Sequence, residues 1–134
     1  LSPDILVQSE ETPRSDRHHS ILIAEDVYEN YFLLETLFGK QYQLYHALNG
    51  QEAIDMFETY HRDLILMDIK MPIMDGFEAT RRIRTLSKTI PIIALTAFAF
   101  EREKEIAKQC EFTDYVVKPI DIKELKKLIA KVLA

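Results

Sequence analysis

Cysteine, glycine and long apolar runs are all scarce in this chain. Its 134 residues include one cysteine, Cys110. One thiol cannot close an internal disulfide, and no second ligand stands at metal-site spacing from it. Cys110 reads as a small buried side chain in a reducing, cytoplasmic compartment. The three glycines, Gly39, Gly50 and Gly76, stand singly. That argues against the glycine-rich loop that cradles the phosphates of a nucleotide or flavin. No apolar stretch approaches the ~20 residues that span a bilayer, and residues 1–20 carry no signal-peptide pattern. No membrane contact is expected from these residues, although a longer parent chain could carry an anchor. Basic residues are in deficit, with a formal net charge of −5, so a nucleic-acid surface is not expected. Internal repeats and low-complexity tracts are also missing.

What remains is one domain's worth of sequence, long enough to bury a core without staples. Residues 1–19 read as a linker or tail. They are rich in Ser, Asp, Glu, Arg and His and hold Pro3 and Pro13, with little periodicity after Val7. His18 and His19 are adjacent, a poor geometry for joint metal binding. The chain opens on Leu1, and a fragment of a longer protein is the expectation.

From Ser20 the pattern changes, and residues 20–134 read as the folded domain. Four short apolar runs each end in a polar residue: Ile21–Ala24 before Glu25 and Asp26, Asp63–Met67 before Asp68, Pro91–Leu95 before Thr96, and Tyr115–Val117 before Lys118. Continuous apolar runs of this length fit strands buried on both faces of a parallel sheet. A weaker fifth strand is expected at Gln43–Ala47. Helical spacing is read between them, over Tyr28–Phe38 with Gly39 as C-cap, Asn49–Tyr60, and Phe77–Leu86 with Phe77, Ala79, Ile83 and Leu86 as its apolar residues. A charged, exposed helix is expected over Glu101–Cys110. A last one opens at Asp121, with Glu124 three residues on. Alternating strands and helices imply right-handed βαβ crossovers. The fold expected is α/β, a doubly wound five-stranded parallel sheet of order 2-1-3-4-5.

In such a sheet, ligands bind beyond the C-terminal strand ends, where the strand order reverses. Glu25, Asp26, Asp68, Thr96 and Lys118 all fall on that rim. Crowded carboxylates repel unless a cation intervenes. A hard dication that keeps waters and takes phosphate oxygens suits the set, and Mg²⁺ is the expected cofactor. A competing reading makes the carboxylates helix N-caps. With Lys118 as the opposing charge and Thr96 as a hydroxyl donor, the rim could stabilise a transferring phosphoryl group. Asp68 would be the nucleophile, forming an aspartyl phosphate.

These residues resemble the receiver domains of two-component signalling. The likeness runs from Ser20 to Ala134 and rests on four motifs in order: Ile21–Asp26, Leu66–Gly76, Pro91–Ala97 and Tyr115–Pro119. Asp75–Arg81 further resembles receivers fused to hybrid sensor histidine kinases. The resemblance implies a flavodoxin-like receiver fold in a phosphorelay. Asp68 would accept phosphoryl from a phosphohistidine of a histidine kinase, with a histidine phosphotransfer domain as a further partner. Asp26 would bind Mg²⁺ directly, Glu25 mainly through water, and Lys70 through its backbone carbonyl. Lys118 would pair with the phosphoryl group and Thr96 would swing towards it. Tyr115 would turn inward as Thr96 moves. The Lys118–Pro119 bond would be cis. The domain would catalyse only its own phosphorylation and dephosphorylation, while the parent chain could be a kinase.

Departures from the family pattern are visible. Glu25 stands where many members have Asp. Lys70 and Phe98, two residues beyond Asp68 and Thr96, flank the phosphoryl site and should tune the lifetime of the group. Cys110-Glu111-Phe112 lacks the glycine that commonly ends the fourth helix, so a left-handed cap would fall on Glu111. Rival readings are a stand-alone response regulator lacking its output domain and an aspartyl-nucleophile phosphohydrolase. The hydrolase would want an Asp where Lys70 stands.

Overall fold

The computed structural model describes residues 19–97 and 101–134. The tail expected over residues 1–19 therefore falls outside it up to residue 18, and so does Phe98. Within the described residues the chain alternates β1 (Ser20–Ala24), α1 (Tyr28–Phe38), β2 (Gln43–Ala47), α2 (Gly50–Thr59), β3 (Leu64–Asp68), α3 (Gly76–Leu86), β4 (Ile92–Thr96), α4 (Glu101–Gln109), β5 (Asp114–Val117) and α5 (Ile122–Leu133). The strands form one sheet in the order β2-β1-β3-β4-β5, all parallel. The expected order is the observed one, and β1 and β3 are neighbours across the reversal point.

Each strand alternates its side chains between two faces, and in the inner strands β1, β3 and β4 both faces are buried. Ile21 and Ile23 point to one core, where they meet Tyr31, Leu34 and Phe38 of α1 and Leu125 and Ile129 of α5. Leu22 and Ala24 point to the other, with Ala53, Ile54 and Phe57 of α2 and Ala79 and Ile83 of α3. This double burial is why the inner strands read as unbroken apolar runs. Fully burying one Leu or Ile contributes roughly 1.5–3 kcal/mol. No helix among the described residues is long and apolar enough to cross a membrane.

Helix starts follow side-chain chemistry. Asn49 accepts from the Glu52 N–H at 2.9 Å, Asp75 from Glu78 at 2.9 Å and Asp121 from Glu124 at 3.2 Å, each satisfying a donor that the first turn leaves unpaired. The first helix is different. Its N-cap is Val27, with no side-chain cap bond. Gly39 does cap its other end, but at φ −65°, so the helix does not stop there in a left-handed turn.

The inner face of α3 takes only part of that helix's apolar residues. Ala79 and Ile83 are buried, but Leu86 is 46% exposed. Its place inside is taken by Thr80 and Arg84. A buried arginine is tolerated when its N–H groups are occupied. Arg84 donates from Nε to the Glu111 carbonyl at 2.9 Å and from Nη1 to the Ile90 and Ser87 carbonyls at 2.7 and 3.3 Å. The Glu111 carbonyl held in this way belongs to a residue at φ 65°, the left-handed position anticipated from the missing glycine.

Glu111→Gly should therefore raise stability by about 1 kcal/mol, the strain of a non-glycine residue in that region. The exposed 3.9 Å pair with Lys88 would be lost at little cost. A higher urea midpoint is the expected result, and a lower one would remove strain at Glu111 from the account.

Candidate functional site

The sheet register brings the rim together. Ala24 stands beside Met67, so the residues that follow them, Glu25 and Asp68, leave adjacent strands at one level. Thr96 pairs with Val117, which puts Lys118 one step beyond. Glu25, Asp26 and Asp68 each present a carboxylate oxygen within 4.8 Å of the others. The Lys118 ammonium lies 3.1 Å from Asp68 Oδ2 and 3.8 Å from Glu25 Oε1. Thr96 and Lys118 line a cavity of about 240 Å³ together with Asp26, Asp68 and Lys70. The Lys118–Pro119 peptide bond is cis.

The helix-cap reading fails for the first two acids. Neither caps α1. Glu25 Oε2 accepts from the Val27 N–H at 3.1 Å, and Asp26 faces the cavity. Asp68 is held from both sides, with the Lys70 N–H 3.3 Å from Oδ1 and Lys118 on Oδ2. Gly76 closes the loop that follows. Its N–H meets the Ile69 carbonyl at 2.8 Å, and a Cβ there would collide with the Asp68 carbonyl. Glycine is used here for close approach of two backbones.

The electrostatics are unbalanced. Three carboxylates face one ammonium, all at least partly buried. At 4.8 Å and an effective dielectric near 20, one like-charge pair costs about 3 kcal/mol. Burial pushes the Glu25 carboxyl up from 4.5 to about 7, and the Asp68 charge adds to the rise, while the Val27 N–H and Lys118 pull it back. The donor set is all hard oxygen with an excess of negative charge. These residues fit a divalent cation of the Mg²⁺ type.

Tyr115 is placed apart from this group. It lies on β5 beside Ala94, with 44% of its surface exposed. Two residues at the site escaped the sequence reading. Glu103, in the first turn of α4, lines the cavity that Asp68 lines and a second one of about 440 Å³ beside Lys70. It is one acid in a charged helix, and nothing in its spacing singles it out. His46, near the end of β2, reaches the Glu25 carbonyl with Nε2 at 2.7 Å. A polar residue at a strand's C-terminal end was the available signal, but an edge strand carries such residues routinely.

The fold and rim define a doubly wound α/β domain with three clustered carboxylates and an ammonium at its switch point. Residues 21–130 match the response regulator receiver domain, and the chain belongs to that family of two-component signalling domains. It is 37% identical over 114 residues to the regulatory protein AtoC of Escherichia coli, covering 84% of this chain and 25% of AtoC. The chain thus spans about a quarter of that relative's length. Among solved structures, the receiver domain of the sensor histidine kinase PA1611 from Pseudomonas aeruginosa superposes with a TM-score of 0.79 at 33% identity, covering 86% of this chain and 97% of that one. That structure has a magnesium ion coordinated in its active-site cleft. The receiver domain of Ssk1 from Saccharomyces cerevisiae, solved with the histidine phosphotransfer protein Ypd1, gives 0.78 at 30% identity, covering 84% and 87%.

A raised Glu25 sets the sign of a pH effect. The fold favours the protonated acid, so its stabilising contribution is complete below about pH 4.5 and is lost as pH rises through about 7. With chelator present, the unfolding midpoint of the wild-type chain should fall between about pH 5 and 8 relative to Glu25→Gln. Parallel curves for the two proteins would contradict a raised Glu25.

Proposed function

We propose that this domain accepts a phosphoryl group on Asp68 from a phosphohistidine and changes its surface in response, with Mg²⁺ as cofactor. The observation that carries the reading is the Lys118 ammonium 3.1 Å from Asp68, inside a cluster of three carboxylates at the switch point. One Asp68 oxygen attacks phosphorus. The phosphorus–oxygen bond forms as the phosphorus–nitrogen bond to imidazole breaks, and the imidazole leaves with the electron pair.

Asp26, Asp68 and the Lys70 carbonyl would hold the ion, with Glu25 acting through water. When bound, the dication neutralises charge on the phosphoryl oxygens and the surrounding carboxylates. Lys118 exchanges its pairing with Asp68 for a phosphoryl oxygen. The Thr96 hydroxyl donates to another. Phosphorylation adds about −1.5 to −2 charge, and Thr96 moving towards it leaves room for Tyr115 to turn inward. A cleft of about 320 Å³ beside Tyr115, between α4 and β5, gives the ring space to rearrange. Lys70 and Phe98 would set the lifetime of the phosphoryl group.

The donor and the next acceptor follow from the same chemistry. A histidine kinase supplies the group, and a histidine phosphotransfer domain is the partner we assign to the exposed apolar face of α1, where Tyr28, Phe32 and Leu33 are each at least half exposed beside the site. The Ypd1–Ssk1 complex is the precedent for such a pairing. An origin in a hybrid sensor kinase is supported by Asp75–Arg81 and by likeness to the PA1611 receiver. A stand-alone regulator is the alternative, and the relative AtoC is named a regulatory protein. The domain spans residues 20–134 in this reading, in the cytoplasm, where the free thiol of Cys110 is stable.

Incubation with Mg²⁺ and acetyl phosphate should add one phosphoryl group per chain, seen by intact mass spectrometry. Asp68→Asn should add none. Lys118→Ala should still take up phosphoryl while its spectroscopic response weakens. Release of many phosphates per chain from phosphate monoesters would favour a hydrolase instead.

A further inference from the structure

The β1–α1 turn carries two of the three acids, yet the helix it opens has no side-chain cap. Its backbone is held elsewhere. The Glu25 N–H donates to the Ala47 carbonyl at 3.0 Å, and the Glu25 carbonyl accepts from His46 Nε2 at 2.7 Å. Both tethers come from the end of β2. A carbonyl can only accept, so the bond requires the proton on Nε2. The ring's orientation is also constrained. It stacks on Tyr31 with centroids 3.7 Å apart and planes 2° from parallel, and Tyr28 meets it edge-on at 5.5 Å.

We infer that His46 is a positioning residue for the acidic turn: clamped by the aromatic rings of α1, it fixes the Glu25 carbonyl and with it the placement of Glu25 and Asp26 towards a bound cation. Groups that orient metal ligands from behind contribute to metal affinity without touching the ion. Tyr28, the outer ring of the clamp, also belongs to the exposed face of α1. An occupant of that face therefore contacts a side chain that braces His46. The inference rests on the Mg²⁺ reading given above.

Two variants separate the hydrogen bond from the stacking. His46→Phe keeps a ring against Tyr31 and removes the donor. His46→Gln keeps an N–H donor and removes the stack. Mg²⁺ affinity is read by titrating backbone amide resonances of the full chain. Hydrogen exchange of the Glu25–Tyr28 amides is followed separately in chelator. His46→Phe should weaken Mg²⁺ binding about fivefold or more, the equivalent of one lost hydrogen bond, and should speed exchange in the turn. His46→Gln should lie nearer to wild type in both. A role in packing alone predicts the reverse, with His46→Phe equal to wild type and His46→Gln impaired, and that result would overturn the inference. If wild type itself fails to bind Mg²⁺, the function proposed above falls, and the exchange rates still decide whether His46 holds the turn.

Discussion

Negative charge gathered in one place with too little positive charge beside it is the constraint that organises this molecule. Glu25, Asp26 and Asp68 converge within 4.8 Å of one another, and Lys118 is the ammonium among them. At about 3 kcal/mol for one such like-charge pair, the arrangement subtracts from a folding free energy that is seldom above 15 kcal/mol. The chain bears it because the inner strands are buried on both faces. Ile21–Ala24, Leu64–Met67 and Ile92–Leu95 have no exposed surface at all. The most stable part of the sheet thus ends directly beneath the least comfortable part of the surface. A rigid floor under crowded charge keeps the carboxylates from relaxing apart.

Much of this was legible in the sequence, for a definite reason. A strand buried on both faces needs an unbroken apolar run, so the polar residue that ends it is conspicuous. Asp68, Thr96 and Lys118 were found as punctuation. The topological rule then placed them on one rim, although 50 positions separate Asp68 from Lys118. Where burial is one-sided the signal fades. The edge strand β2 is mostly half-buried, and His46 was lost in it because its partner, the Glu25 carbonyl, is a backbone group that no side-chain pattern encodes. Arg84 was hidden differently. Apolar spacing names Leu86 among the apolar residues of α3 and leaves Arg84 among its charges, because a buried guanidinium reads as a surface charge until its three carbonyl acceptors are known.

The few glycines have a consistent use. None of them has a positive φ, while Ile73 and Glu111 do, at 71° and 65°. Left-handed backbone is carried here by residues with side chains, and Ile73 is β-branched, where the strain is greatest. Gly50 and Gly76 instead serve close approach. The Gly50 N–H meets the Met74 carbonyl at 2.9 Å and the Gly76 N–H meets Ile69 at 2.8 Å, and a Cβ at either position would strike main chain. Both contacts brace the loop between Asp68 and α3, whose turn at Ile73 is 82% exposed. The glycine count argued against a phosphate-cradling loop, and the structure shows what the residues do in its place. They lock the strap that follows Asp68 against the sheet and the neighbouring helix.

The five helices are not equally anchored. The other four each bury two or more apolar side chains, or the equivalent small residues, against the sheet, whereas α4 buries Ala107, with Cys110 just past its end. Apolar burial at about 25 cal/mol per Å² makes α4 the helix held least by its own side chains. It is tied at its C-terminal side through the Glu111 carbonyl on Arg84, and its Glu103 lines the cavity of Asp68. A carboxylate facing that cavity feels any change of charge there over a short, partly desolvated path. Charge at the rim and weak anchoring of α4 are therefore complementary. Glu103 faces the cavity of Asp68 from the helix with the fewest buried side chains, and Arg84 holds the backbone just past that helix's C-terminal end.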